Sequence, residues 1–291
     1  MEFKPTTLAA LVEQFGGVLH QTPGSTQQAH ELSLTGFAPL ASAASNQLSF
    51  LSNSKFKSDL VSGQAGAVLV KQADAGDLLA GMVPGQSSGT SFLWSVPDPY
   101  LAYAKIQQWW VKASSAPRPS GVHSSAVVEE GAQVSSTASV GANAVIERGA
   151  IIEEHAVVGA GCFIGEAARI GAYSLLHANV TVYHECQIGQ HCIIHSGVVI
   201  GADGFGFANE KGAWVKIPQT GRVLIADQVE IGANTTVDRG ALDDTLIGFG
   251  VKLDNQIMVA HNCTIGEHTA VAGCVGMAGT THIGARCTIG G

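Results

Sequence analysis

Eleven histidines are the most versatile side chains in this 291-residue sequence, and one of them stands where acid–base work is possible. His261 lies in LDNQIMVAHNCTIG, two positions after Val259. In a repeat whose turns advance by eighteen residues, the position one turn above it is Gly279, in MAGTT. Glycine has no Cβ, so the imidazole would lie beneath bare backbone. A ring that can take a proton, next to an N–H that can face a developing oxyanion, is the minimum equipment for acyl transfer. The competing reading is a solvent-exposed surface histidine without a role. Asp254, seven positions earlier, belongs to the neighbouring face. Across a corner or a subunit boundary it can orient an imidazole or receive a substrate amine, and a hydrogen bond within its own turn has equal weight. Asp243 and Asp244 carry the same two readings.

His177 and His195 are also eighteen residues apart, each directly after an aliphatic residue, Leu176 and Ile194. They are predicted to stack on one face near the usual strand spacing. A zinc site needs three converging ligands, and the pair supplies two. His184 and His191 are out of register, so a neighbouring subunit would have to bring the third. The sequence contains no Walker, HExxH or GxSxG motif and no tight Cys/His cluster, and neither a metal nor a tightly held cofactor is expected. Nearer the N-terminus, QLSFLSNSKFK gathers Phe50, Asn53, Lys55 and Phe56 in one short strand-turn. Two rings, an amide and a cation can sandwich a base, read its edge and meet its phosphate. A core-plus-turn role competes, since aromatic rings are core residues first. The amide favours the binding reading, because a packed turn does not need one between two rings.

The elements that must carry these residues follow from a period. From Val122 to Ile200 an aliphatic residue recurs every six positions without a miss. That register belongs to hexapeptide-repeat parallel β-helices, in which three hexads close one coil. After Ile200 the register breaks for GADGFGFANEKGAWVKIPQTGRV and resumes at Ile225. A loop leaving a rigid scaffold at about 201–222 is a natural place for binding groups. A second break, DRGALDD, delays the next position from Val237 to Ile247, after which the hexads continue to Ile289. The sequence stops two residues later without the cap that a terminal coil needs, so a shortened form of a longer protein is expected. Residues 1–100 show no hexad and read as a small α/β domain: a helix at Thr6 to Phe15, and strands at QLSFLSN and AGAVLV. Residues 101–121 are read as a junction helix, beginning at Pro99, with the linker KASSAPRPSG, and 122–291 as the β-helix. The fold class expected is mainly β, a left-handed parallel β-helix preceded by a small α/β domain.

Composition narrows the function further. A formal charge of −8 argues against broad nucleic-acid binding but leaves room for an acidic substrate held by a few cations. No run is long enough to span a bilayer, and the N-terminus lacks a signal-peptide pattern, so a cytoplasmic protein is expected. Five of the six cysteines stand two places before a repeating aliphatic and should point inward as free thiols; Cys274 does not. A catalytic face on an open coil has no walls, which argues for a threefold assembly whose neighbouring chains close the grooves.

LSFLSNSKF, DPYLAYAKI, GADGFGFANEKGAWVKIPQTGRV, EIGANTTVDRGALDDT and LDNQIMVAHNCTIGEHTAVAG, in this order, closely resemble the UDP-3-O-acylglucosamine N-acyltransferase family of lipid A biosynthesis. The resemblance covers essentially the whole sequence. It implies a homotrimer with active sites between neighbouring β-helices. The substrates it implies are a UDP-3-O-(3-hydroxyacyl)glucosamine amine and a 3-hydroxyacyl chain carried on the phosphopantetheine of acyl carrier protein. It further implies His261 as the catalytic base, Gly279 as the oxyanion donor, Asp254 as the acid of the DNQ segment with Asn255 beside it, and Phe50 and Phe56 as the uracil-stacking pair flanking Asn53 and Lys55. The second ring is commonly tyrosine in the family; phenylalanine keeps the stacking face and loses the hydroxyl. The family also continues beyond this point, with a second functional histidine, chain-length-determining residues and a C-terminal helix. Three alternatives stay open on the residues alone: an O-acyltransferase acting on UDP-N-acetylglucosamine, a zinc-dependent hydratase using His177 and His195, and a trimeric scaffold without activity.

Overall fold

A two-residue strand buries almost nothing by itself, so the hexads gain stability only by stacking. In the computed structural model, which describes residues 3–82, 89–116 and 118–291, they do so throughout one compact unit, Arg118–Gly291. Each strand pairs in parallel with the one a coil above: Val140 with Val158, Ile146 with Ile164, Ile152 with Ile170. Parallel sheets of nine, eight and eight strands form the three walls of a left-handed parallel β-helix, the class expected. The repeating aliphatics fill the interior, together with a second inward row of small residues that includes Ala144, Cys162, Cys186 and Cys192. Cys263 is buried likewise, Cys274 is exposed as expected, and Cys287 is only half-buried. Burial pushes the thiol pKa of Cys162, Cys186, Cys192 and Cys263 upward, as suits inert core sulfur.

Both register breaks have a structural purpose. The excursion extends a strand, Val199–Asp203, and then forms an antiparallel hairpin of Phe207–Glu210 and Ala213–Lys216. Ile188 consequently pairs with Ile225 across thirty-seven positions instead of the usual eighteen. At the hairpin's base Lys216 Nζ meets Asp203 Oδ2 at 2.6 Å. The second break, Gly240–Asp244, is bonded to the returning chain: Gly221 N donates to Gly240 O at 3.0 Å and Thr245 N to Arg222 O at 2.9 Å. Arg222 clasps Asp244 through Nε at 3.1 Å and Nη2 at 2.8 Å. Where the excursion leaves the coil, Arg239 turns inward and is 1% exposed. It donates to Gly201 O at 2.7 Å, to His184 O at 2.9 Å and to His184 Nε2 at 2.6 Å. Carbonyls left without ladder partners are satisfied by a side chain instead.

The other unit, Met1–Pro117, is built on a four-stranded sheet in the order Val18–Gln21, Phe92–Val96, Ala67–Lys71, Leu48–Phe50. The first two of these strands were not foreseen; Val18–Gln21 is an edge strand with little alternation, and Phe92–Val96 is buried on both faces. The first helix begins at Leu8, not Thr6, because Thr6–Thr7 pairs with Ser33–Leu34 and Thr7 Oγ1 caps Ala10 N at 3.3 Å. A larger correction concerns Pro99–Ser114. Asp98 caps this helix, and Ile106 and Trp110 are buried in one core with Leu8, Leu11 and Trp94. The helix is part of the small unit, not a junction, and the boundary moves from residue 100 to 117. The apolar residues at helical spacing had a partner within their own domain.

Candidate active site

His261 begins the corner that follows the strand Met258–Val259. Its ring is half-buried between two stretches of bare backbone. A Cβ on Gly279 would lie 2.6 Å from His261 Cε1 and 2.7 Å from Nε2; one on Gly204 would lie 2.8 Å from His261 Cβ and 2.9 Å from Cδ2. The corner is tied to the coil above by Thr280 N, which donates to His261 O at 2.9 Å. The neighbouring N–H of Gly279 is at the surface and, among the described residues, donates to no backbone acceptor. On the other edge of the ring, Nδ1 lies 3.1 Å from Asn262 Oδ1. Asn262 is itself fixed: its N–H donates to the buried Thr245 Oγ1 at 2.8 Å, its Oδ1 accepts from Ala241 N at 2.9 Å and its Nδ2 donates to Asp243 O at 3.1 Å.

Two carboxylates colour this environment. In the strand Thr236–Arg239, Val237 and Arg239 point inward and Asp238 outward. Thr236 and Val237 pair with Met258 and Val259, which carries Asp238 alongside the approach to His261. Burial pushes the Asp238 pKa above the usual carboxylate range, the His261 ring draws it back and Asp203 raises it further. Asp203 is the residue paired to Lys216 at the foot of the hairpin. Asp238, Asn262 and Gly204 were assigned no role from the sequence. The in–out alternation after Val237 points to Asp238, and the letter N of AHN to Asn262, but which loop each side chain meets is visible only in three dimensions.

Asp254 and Asn255 occupy a different corner from His261, the two separated by the strand Met258–Val259. The Asn255 side chain accepts from Ala233 N at 2.7 Å, and Asp254 O accepts from Thr235 Oγ1 at 2.8 Å. Both residues line a groove of about 570 Å³ with Lys252, Glu230 and His195. Within one chain the structure does not bring Asp254 to His261. Asp244 is engaged with Arg222, and Asp243 contributes its carbonyl, so both act structurally. His177 and His195 do stack, with centroids 5.0 Å apart and rings within 7° of parallel. Burial lowers the His177 pKa, and the adjacent His195 and Arg118 lower it further. His195 Nε2 faces Glu230 at 3.3 Å, while His184 is taken by Arg239. Among the described residues no three His, Cys, Asp or Glu side chains converge as metal ligands.

In the small unit Phe50 and Phe56 are not alike. Phe50 is half-buried and stacks on Tyr103 at 4.5 Å and 21°. Phe56 is 54% exposed. Asn53 does serve its turn after all: Oδ1 accepts from Lys55 N at 3.0 Å and caps the short helix Ser54–Phe56, and its NH₂ has no acceptor among the described residues. That corrects the expectation that a turn would not need the amide. Beside it is a cavity of about 280 Å³ lined by Ser52, Asn53, Lys57, Lys71, Asp74 and Asp98, in which the cations are Lys57 and Lys71 and not Lys55.

The chain is similar to known proteins over most of its length. The family profile for UDP-3-O-(3-hydroxymyristoyl) glucosamine N-acyltransferase, LpxD, matches residues 31–109, and that for bacterial transferase hexapeptide repeats matches 167–202. A UDP-3-O-acylglucosamine N-acyltransferase of Bordetella bronchiseptica is 56% identical over 262 residues, spanning 89% of this chain and 71% of that protein. The enzyme of the same name from Pseudomonas fluorescens is 50% identical over 277 residues, spanning 94% and 72%. Among solved structures, an Arabidopsis UDP-N-acetylglucosamine acyltransferase superposes with a TM-score of 0.53 at 20% identity, over 58% of this chain and 59% of that one, a likeness of fold alone. With half or more of its residues shared over nearly its whole length, the chain belongs to the UDP-3-O-acylglucosamine N-acyltransferase family.

Proposed function

We propose that this protein transfers a 3-hydroxyacyl chain from acyl carrier protein to the glucosamine 2-amine of UDP-3-O-(3-hydroxyacyl)glucosamine, the N-acylation step of lipid A biosynthesis. The observation that carries the reading is the packing of the His261 imidazole against the Gly279 backbone, whose N–H has no acceptor among the described residues. The amine nitrogen attacks the thioester carbonyl as His261 takes its proton. The carbonyl oxygen becomes an oxyanion facing the Gly279 N–H. Collapse breaks the carbon–sulfur bond, and the departing phosphopantetheine thiolate takes the proton from the imidazolium. An acyl-enzyme is unnecessary, since Cys263 is buried in the core and its thiol pKa is raised. No cofactor beyond the acyl-phosphopantetheine co-substrate enters this sequence.

The remaining assignments are part of the same proposal. The small unit binds the uridine nucleotide, with Phe50 and Phe56 offering ring faces, Asn53 its NH₂, and Lys55 a cation. A homotrimer, with its grooves between neighbouring β-helices, gives Asp254 and Asn255 of one chain access to a reaction centred on His261 of the next. Exposed apolar side chains on the excursion, Phe205 at 84% and Trp214 at 69%, support a neighbouring chain or acyl chain covering them. The test is His261→Ala, assayed with acyl carrier protein thioester and UDP-3-O-acylglucosamine: kcat should fall by about 10²–10⁴ with sugar affinity nearly unchanged. Retention of more than a tenth of the turnover would refute His261 as base, about a tenfold loss being too small for such a role. Acylation of UDP-N-acetylglucosamine in preference to the 3-O-acylated amine would indicate the O-acyltransferase instead.

A further inference from the structure

We infer that the second register break is a tautomer lock: through Asn262, it holds His261 with a proton on Nδ1 and a lone pair on Nε2. The inference rests on the acyl-transfer reading and assigns Asn262 as a positioning residue for the proposed base. Its force comes from the three groups that meet the Asn262 side chain. Ala241 N–H can only donate and Asp243 C=O can only accept. Rotating the amide by half a turn would set NH₂ against N–H and oxygen against oxygen, so the orientation is fixed. The atom presented to His261 Nδ1 is therefore Oδ1, an acceptor, at 3.1 Å. Between an acceptor and a ring nitrogen there is a hydrogen bond only if the nitrogen carries the hydrogen. In water a neutral histidine favours the opposite tautomer, so the protein has to impose this one. Nε2 is left as the basic atom, and it is the ring nitrogen nearest the point where a Gly279 Cβ would stand.

The break is built to hold these partners still. The Asn262 N–H is tied to the fully buried Thr245 hydroxyl, and its φ of 60° is a conformation asparagine adopts more easily than most residues. Thr220 N donates to Ala241 O at 2.9 Å, and the Arg222–Asp244 pair anchors the far end. Gly240 and Gly221 pack so closely on the Asp243 carbonyl that a Cβ on either would overlap it. Corner N–H and C=O groups of unbroken coils also bond single side chains, as Ala233 N and Asp254 O do; the break brings one of each to the same amide. The charged groups around the ring are Asp238 and Asp203, the latter paired with Lys216; among the described residues neither carboxylate hydrogen-bonds the imidazole, so Asn262 alone sets the tautomer.

Nitrogen-15 NMR of the histidine-labelled full-length chain tests this without reference to turnover, the His261 signals being assigned by their loss in His261→Gln. A protonated-type Nδ1 and an unprotonated-type Nε2 shift in the neutral ring are expected; the reverse pattern or an averaged one overturns the inference. Asn262→Asp loses the bond to Asp243 O but keeps the acceptors of Ala241 N and the ring, and should keep this tautomer, with the acid limb of the kcat/KM profile moved up by about one pH unit because a carboxylate now faces the ring N–H. Asn262→Leu should average the two tautomers and lower kcat about 10²-fold or more at constant sugar KM, as loss of an orienting partner does elsewhere. If both variants merely melt earlier while tautomer and pH profile stay as in the wild type, the role is structural and the lock is refuted. A wild-type protein with the expected spectrum but no N-acyl transfer would refute the proposed function and leave the lock standing.

Discussion

Gly279→Ala isolates the contact on which the proposed site depends. The new methyl would lie 2.6 Å from Cε1 and 2.7 Å from Nε2 of His261. Restoring an ordinary separation near 3.4 Å requires the ring to retreat by about 0.7–0.8 Å. Direct retreat is blocked, because Gly204 already packs on the Cβ and Cδ2 side of the same ring. The imidazole must rotate instead, which carries Nε2 away from the attacking amine. A displacement approaching 1 Å costs about 10² in rate, or about 2.7 kcal/mol of transition-state stabilisation. The backbone is not left-handed at Gly279, and the corner is exposed, so stability should change by less than about 0.5 kcal/mol. Steady-state kinetics with acyl carrier protein thioester should show kcat down about 10²-fold and a sugar KM within about twofold. Gly276→Ala, three residues away, is the control: its methyl would rest 3.5 Å from Met258 Cε, an ordinary contact, and activity should be unchanged. A Gly279→Ala enzyme within about threefold of wild-type kcat would mean that the reacting nitrogen does not sit where the proposal puts it.

Phe56→Ala should weaken UDP-sugar binding by about 1–3 kcal/mol in calorimetric titration with little effect on melting, whereas Phe50→Ala should also cost stability, somewhat below the roughly 3–5 kcal/mol of a fully buried ring. Arg239→Met removes the donors to Gly201 O and His184 O, and denaturant unfolding should show a loss of about 1–3 kcal/mol for each carbonyl left buried and unpaired. Hydrogen bonding to Arg222 holds the Asp244 pKa below the usual range, so its stabilisation is complete above about pH 4 and is lost as pH falls through its own lower pKa. Melting curves of Asp244→Asn should accordingly lie below wild type near neutrality and converge with it in acid; a constant gap would refute that linkage.

The β-helix was legible because its signal is redundant: every hexad repeats the same inward aliphatic, and the eighteen-residue step follows from three sides. That step also placed Gly279 over His261, since both lie in an unbroken stretch of register. Legibility ended where the register did. Arg239 has no mark in the sequence that sets it inside, and its burial follows from the departing excursion, which leaves carbonyls without ladder partners. Asn262 gave no hint of its partners Ala241 and Asp243, which are supplied by a break whose path no period specifies. In the small unit, helical spacing identified the helix that begins at Pro99 but neither its last turn, read as linker, nor what it packs on, and amphipathicity alone cannot distinguish a domain's own helix from a junction. Phe50 and Phe56 share a residue type and one short segment; only the position of Tyr103 separates a packed ring from an open one.

The hairpin's insertion into the coil has a consequence for chain entropy. Ordinary coils close loops of eighteen residues, and the interrupted one closes thirty-seven. Loop-closure entropy rises only with the logarithm of length, so a doubling costs about 0.6 kcal/mol, less than one typical hydrogen bond at about 1 kcal/mol. Because each coil contacts only its neighbours, that cost stays at one level of the stack. A corner of such a solenoid can therefore acquire, lengthen or exchange a hairpin while the remaining coils fold as before, and chemistry can diversify on it faster than the scaffold changes.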